Sequence, residues 1–537
     1  MPQSKPAADE PGGPPSRRGR SAATWLFGFG LCGLPVFLGI LNHDVAWFLH
    51  AAGRILSGQR LYVDVVEINP PLIVWLNLGP VLLARSLDLS TILSFRLIML
   101  GVLAGSLLLA RWILAREHPG RPALHRQVLI PAMIALVALA GADFGQREHL
   151  MLALVFPYLL LASARAKGRP IGPGLAWIVG LAAGVGIALK PHFLLPWVAI
   201  EADLAWGRRG WHARPRPEAV AVAAVGLTYA VAVMLFVPEY ASMLRWAMPV
   251  YARCAQASVS TMIGEPATLI TAIAALAYAA VRPQGDHRER CRLLMIATVS
   301  LLAIAFIQDK GFPYHFYPAL ATGLILIGLI PAGWSEAGGH PSKLVIPLTR
   351  GILAVLVLAI SASRVQECRI WRGNPGESDT TAGRMIRLEE ELVHSGSVFT
   401  FSAGVGPSFP SITYSRVGWA SRHPCLWFLA AFHPDGVPAG SLIAGRTPPV
   451  MDEPEQSLRE SVVSDLIRAR PTLLFVDEPE DNPAFGGRRF DFLEYYQIDP
   501  RFAEFLRHYE RITRLDRFDV YRRDDPKVAI RTYPQDE

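Results

Sequence analysis

The chain has 537 residues, of which 51% are hydrophobic and only 18% charged, a balance that fits a multi-pass membrane protein and excludes a disordered or collagen-like chain. Its formal net charge is +7, but the basic residues are mostly arginines in short clusters between apolar runs, which is the pattern of membrane topology rather than of nucleic-acid binding. The five cysteines show no C-x-x-C spacing and no zinc pattern, while Cys368 and Cys425 could pair outside a membrane.

Residues 1–23 are rich in Pro, Gly and Ser and carry Arg17, Arg18 and Arg20, the composition of a disordered cytoplasmic tail. The apolar run that follows is too long for a signal h-region and lacks a small-x-small cleavage site, so it reads as a retained anchor. Directly after it comes NHDVAWFLHAAGRILSGQRLYVDVVEINPP, Asn42 to Pro71, which packs His43, Asp44, His50, Asp64 and Glu67 into one loop. A connector between two membrane helices needs none of these. Asp44 lies just past the apolar run and is expected at the membrane lip, where a carboxylate costs free energy unless it is paired or used. The competing structural reading is that Asp44 N-caps an amphipathic helix Val45–Leu56.

Apolar segments recur at 24–41, 92–115, 128–142, 149–164, 174–190, 192–206, 217–237, 267–281, 293–308, 316–333 and 344–363, giving eleven candidate spans. Pro71–Arg85 is short, carries Pro71 and Pro80, and holds Asn77 at its middle; it is expected as a helix in the outer interface. With the N-terminus inside, the loops RWILAREHPGRPALHR, RAKGRP, GRRGWHARPRP and RPQGDHRERCR fall in the cytoplasm with three or four Lys/Arg each, as the positive-inside rule requires. Counting Pro71–Arg85 as a span would put them outside.

The expected organisation is therefore a transmembrane domain over 24–363, with a first outer loop at 42–91, followed by an extracytoplasmic soluble domain over 364–537. In the latter, VFTFSAG and TLLFVDEP read as buried strands, Glu455–Arg470 and Arg501–Tyr509 as helices, and RFDVYRR as a late strand, an α/β layer pattern.

This topology brings four polar clusters to the outer rim: the opening loop with Glu67; Asp143, Gln146, Arg147, Glu148 and His149; Lys190 and His192; and Gln308, Asp309, Lys310, Tyr314, His315 and Tyr317. Snorkelling or capping accounts for His149, Tyr317 and Asp309 more readily than for the set. Cations at a rim can stabilise a lipid phosphate leaving group, and a carboxylate can take the proton of an acceptor hydroxyl. Paired carboxylates such as Asp44 and Glu148 could alternatively hold a divalent cation, the one cofactor the residues suggest.

The acid after the first span, the amphipathic helix and the pattern G-x-x-x-Y-x-D…E-x-x-P-P-L, here Gly58, Tyr62, Asp64, Glu67, Pro70, Pro71 and Leu72, resemble the GT-C superfamily of membrane glycosyltransferases, which includes protein O-mannosyltransferases and lipid A aminoarabinose transferases. The resemblance implies a polyprenyl-phosphate sugar donor, reaction with inversion at the outer face of a bacterial inner membrane, and a juxtamembrane helix at Pro71–Arg85. It carries the catalytic acid to Asp44 and a second acid to Glu148 or, less well, Asp143. It also makes QDKGFPYH, with Lys310, Tyr314 and His315, a lipid-phosphate element. Glu67, Arg147, Lys190 and His192 complete the expected substrate-binding set. The position ahead of the Pro-Pro pair, basic in other members, is Asn69. The acceptor is left open among glycan, lipid and protein. Two readings from other classes are a transporter or flippase of a lipid-linked glycan, which should carry mid-membrane charges and repeated halves, and a non-catalytic assembly protein.

Overall fold

The computed structural model describes residues 17–207, 215–254, 256–335, 351, 379–437 and 453–524. Helices follow the apolar runs: α1 Arg17–Leu38, α2 His43–Ile55, α3 Leu72–Leu87, α4 Thr91–Glu117, α5 Pro122–Met133, α6 Arg147–Ala166, α7 Pro173–Ala188, α8 Leu194–Gly207 and α9 Pro217–Phe236. After them come α10 Glu239–Arg253, α11 Val259–Gly264, α12 Pro266–Val281, α13 Arg288–Gln308 and α14 Pro313–Ser335. Each of the first ten apolar segments thus coincides with a helix, and the eleventh, 344–363, lies outside the described residues but for Gly351. Five of the helices (α4, α6, α9, α13 and α14) are long and apolar enough to cross a membrane, while α7, α8 and α12 are shorter. α1 begins at Arg17, so its first turns run into the stretch expected as tail, where Arg and Ala favour helix.

α2 and α3 form the platform of the opening loop. α3 starts after Pro71, which suits a helix start, and the Asn77 side-chain nitrogen donates back to the Ile73 carbonyl at 2.8 Å, a local bond that leaves the Asn77 oxygen buried without a partner. α5 runs on through a π-helical turn, Ile134–Ala138, into the 3-10 turn Gly141–Asp143. Gly145 then turns the chain with φ +81, and a side chain there would collide with the Phe95 ring, so glycine is required where α6 begins.

The later part of the chain builds a five-stranded sheet, β1 Ser397–Phe401, β2 Gly418–Trp419, β3 Leu473–Asp477, β4 Tyr509–Leu515 and β5 Phe518–Arg523, in the order β2-β1-β3-β5-β4. β1 runs parallel to β2 and β3, and β5 is antiparallel to β3 and β4. β3 is buried along its whole length, and the run LLFV suits a central strand covered on both faces. The helices here are α15 Thr381–Leu392, α16 Ser408–Ser415, α17 Trp427–Phe432, α18 Glu453–Ala469, α19 Phe492–Tyr496 and α20 Pro500–Leu506. The strands expected from VFTFSAG, TLLFVDEP and RFDVYRR are β1, β3 and β5. The helix expected over Arg501–Tyr509 ends at Leu506, and Tyr509 opens β4. Cys425 is buried, whereas Cys368 lies outside the described residues.

α16 ties the two parts together. It packs on α2, with the Phe409 ring edge-on to Trp47 at 5.2 Å and to His50 at 5.4 Å, and the Tyr414 hydroxyl accepts from the Leu41 amide at 3.1 Å. Behind α16, Glu389 of α15 is 1% exposed and accepts from the Ser411 and Ser415 hydroxyls at 3.0 and 2.6 Å. Burial pushes its carboxyl up to about 8, more than the two hydroxyl bonds pull it down. Its protonated form therefore favours the folded state, and that contribution is lost as pH rises from about 4.3, the value of a free glutamic acid, through the folded-state value. We expect Glu389→Gln to flatten part of the fall in melting temperature between pH 5 and 8 and to raise the melting temperature at the upper end. Identical pH slopes for the two proteins in thermal melts would count against a buried, protonated Glu389.

Candidate active site

The start of α2 sets the geometry. Asn42, not Asp44, is the N-cap: its side-chain oxygen accepts from the Asp44 amide at 2.9 Å. That frees the Asp44 carboxylate, in the first helical turn, to face α6. There its Oδ2 accepts from Arg147 Nη2 at 2.9 Å and from Gln146 Nε2 at 3.2 Å, while His43 Nε2 stands 3.5 Å from Oδ1. Gln146 also reaches Asn42 Oδ1 at 2.7 Å, so the cap and the acid are held by the same residue. Burial would raise the Asp44 carboxyl, but His43, Arg147, the Gln146 bond and Lys190 together hold it below its ordinary value, so it stays ionised at neutral pH.

Arg147 is the hub. Its guanidinium is buried, lies 5.2 Å from the Phe48 ring centre and 5.8 Å from that of Tyr314, and donates a second bond to Asn69 Oδ1. Arg147 thereby brings its charge to Asn69, the residue directly ahead of the Pro-Pro pair. Asn69 in turn donates from its backbone and side chain to Glu67 Oε1 at 2.7 and 2.6 Å, and Trp47 Nε1 donates to Glu67 Oε2 at 2.6 Å. Burial raises the Glu67 carboxyl more than Asn69, Arg147 and Trp47 lower it. Glu67 is thus a buried support of the loop that reaches Arg147 through Asn69.

A second ion pair stands beside the first. Lys190 Nζ lies 2.5 Å from Glu148 Oε1, His315 Nε2 is 3.9 Å from the same oxygen, and the Lys190 ammonium sits 5.6 Å from the Tyr314 ring centre. Tyr314 and His315 stack edge to face at 4.4 Å. Among the described residues, Arg147 Nε, Glu148 Oε2, His192 Nε2 and His315 Nδ1 are buried atoms without a hydrogen-bond partner. Orphaned buried polar atoms are costly and rare. A ligand carrying both acceptor oxygens and hydroxyl donors would satisfy such a set.

Asp44, Arg147, Glu148, Lys190, His192, Tyr314 and His315 are therefore brought together from α2, α6, the α7–α8 turn and α14. Glu67 joins them through Asn69. Asp143 is buried in the 3-10 turn ahead of α6. Lys310 stands apart: its ammonium donates to the Tyr251, Ala252 and Cys254 carbonyls at 2.9, 3.4 and 2.6 Å, closing the C-terminal end of α10. His149 is held between the Gly145 amide and the Leu136 carbonyl, and Tyr317 donates to the Ala135 carbonyl at 2.8 Å; both are structural. Sequence reasoning missed Asn42, Trp47 and Phe48. Asn42 was findable, since Asn immediately before an acidic first turn is a strong cap signal.

A divalent cation at Asp44 and Glu148 does not fit this arrangement, because each carboxylate already contacts a buried cationic side chain. Among the described residues, no group of three or more His, Cys, Asp or Glu side chains is placed to hold a metal ion.

No protein-family model matches the chain, and no curated protein matches it in sequence. Among solved structures, ArnT from Cupriavidus metallidurans bound to undecaprenyl phosphate matches with a TM-score of 0.52 at 13% identity, covering 94% of this chain and 98% of that one. The apo state of the same ArnT gives 0.49 at 14% identity, covering 93% and 98%. The mycobacterial arabinofuranosyltransferase AftD gives 0.36 at 13% identity, covering 96% of this chain and 40% of that one. At these identities the likeness is one of fold: the chain has the fold of ArnT.

Proposed function

We propose that this protein is an integral membrane glycosyltransferase that moves a sugar from a polyprenyl phosphate to an acceptor hydroxyl at the outer face of a bacterial inner membrane. The observation that carries the reading is the Asp44–Arg147 pair standing beside the Glu148–Lys190 pair, an ionised carboxylate next to cations and orphaned donors. ArnT, with the same fold, was solved holding undecaprenyl phosphate, a ligand whose anionic oxygens suit such donors.

In the reaction, the acceptor oxygen attacks the anomeric carbon from the face opposite the phosphate. The bond from that carbon to the phosphate oxygen breaks, and its electron pair leaves with the phosphate. The hydroxyl proton passes to Asp44. An ionised carboxylate of low basicity can take it because the hydroxyl turns acidic as its oxygen bonds to carbon. Arg147 and Lys190, helped by His315, His192 and Tyr314, stabilise the departing phosphate, and Glu148 keeps Lys190 in place. Lys310 anchors α10 rather than touching the donor.

The basic loops support the finer topology: N-terminus in the cytoplasm, eleven spans, and residues 364–537 outside. Two measurements test the reading together. Purified protein should discharge radiolabelled polyprenyl-phosphate sugar, and protease added outside intact spheroplasts should remove the region after 364 and stop transfer. Donor left intact by folded protein would end the enzymatic reading, and a protected C-terminal region would end the topology.

A further inference from the structure

Near this site, a cleft of about 610 Å3 opens between the opening loop, α10 and α18. Tyr62 and Val66 of the opening loop, Ser242 and Trp246 of α10 and Ser457 of α18 line it, and Glu239 and Glu453 add carboxylates to the lining. Its size falls in the usual range for small-ligand sites, about 300–1,000 Å3. Two links join it to the reaction centre. The Tyr62 hydroxyl donates to the Asn69 carbonyl at 2.7 Å, and Asn69 holds Arg147 and Glu67. Val66 directly precedes Glu67, and its amide donates to the Arg422 carbonyl at 2.8 Å, which binds this part of the lining to the sheet-bearing part of the chain.

The chemistry of the wall is selective. Trp246 is half-buried with one side toward the cleft, and Tyr62 lies against Tyr240 at 4.9 Å, so flat apolar surfaces line the cavity. Arg422 also borders it, but its guanidinium is engaged by Asp465 at 2.8 Å. Two carboxylates and several hydroxyls therefore set the polarity. Aromatic faces take the C–H faces of sugar rings, while carboxylate and serine oxygens take their hydroxyls. A phosphate would meet Glu239 and Glu453 and be repelled.

We infer that this cleft is the acceptor subsite and that it takes a glycan of uncharged, hydroxyl-rich sugar units rather than a phosphorylated one; the inference rests on the transferase reading above. Trp246 stacks on a ring of the glycan, Glu239 and Ser457 fix its hydroxyls, and the chain end points past Tyr62 toward Asp44.

The test uses the full-length protein in detergent, titrated calorimetrically at millimolar concentration with neutral tetrasaccharides of gluco, galacto and manno configuration and with the corresponding hexose 6-phosphates. At least one neutral sugar should bind. Trp246→Ala and Glu239→Gln should each weaken it about tenfold, one ring or one strong hydrogen bond, and Trp246→Phe should retain most of the affinity. Undecaprenyl phosphate, titrated in parallel, should bind all variants alike. Tighter binding of the 6-phosphates, no neutral binding, or equal affinity in wild type, Trp246→Ala and Glu239→Gln overturns the subsite. A wild type that binds a neutral glycan at this cleft but not undecaprenyl phosphate supports the subsite and counts against the transferase reading alone.

Discussion

Asp44→Asn should lower sugar transfer by about a hundred- to ten-thousandfold, the range a positioned general base contributes. The substitution keeps the side chain's shape and an oxygen to accept from Arg147 and Gln146. Helix α2 keeps its cap, because Asn42 provides it. The loss of one charge-assisted bond to Arg147 should cost about 1–3 kcal/mol of stability, visible in a melt but far too small to account for the activity lost. Turnover at saturating donor is the quantity to measure, since Arg147 and Lys190 should still hold the phosphate. Near-normal turnover in folded Asp44→Asn protein would return the opening loop to the status of a connector.

Lys190→Met is expected to have the larger effect on stability. It leaves the buried Glu148 carboxylate with His315 at 3.9 Å as its nearest basic partner, and removing one partner of a buried pair typically costs about 3–5 kcal/mol. The double variant Lys190→Met/Glu148→Gln removes both charges and should recover most of that loss, since replacing a buried pair outright is often neutral. Transfer should not recover, because the donor phosphate would still lack the Lys190 ammonium; a deficit of about ten- to a hundredfold is expected, one charge-assisted contact's worth. Recovery of transfer along with stability would make the pair a structural brace.

What the sequence disclosed follows from what is local in it. Helices at the apolar runs, the buried strands LLFVD and SVFTF, and the acid beyond the first run are all written in composition and period. Short apolar helices such as α7 and α12 are legible as helices, yet length alone does not make them spans. α10 went unread because its apolar residues alternate with Glu239, Arg245 and Arg253 and carry no long hydrophobic run. The Asp44–Arg147 bond joins residues 103 positions apart, and nothing local announces such a pairing. The same is true of Lys310, whose three carbonyl partners lie 56 to 59 positions upstream.

The seat of α16 on α2 bears on how this protein can change over time. Phe409 wedges against Trp47 and His50, and Tyr414 holds the Leu41 amide, so the helix that carries Asp44 is half-roofed by residues encoded more than 350 positions downstream. A chimera that grafts a foreign C-terminal region onto this membrane part would strip that roof and leave an apolar helix face wet. Exchange of function by shuffling whole domains is thereby obstructed, and residue-by-residue drift is the route the architecture leaves open.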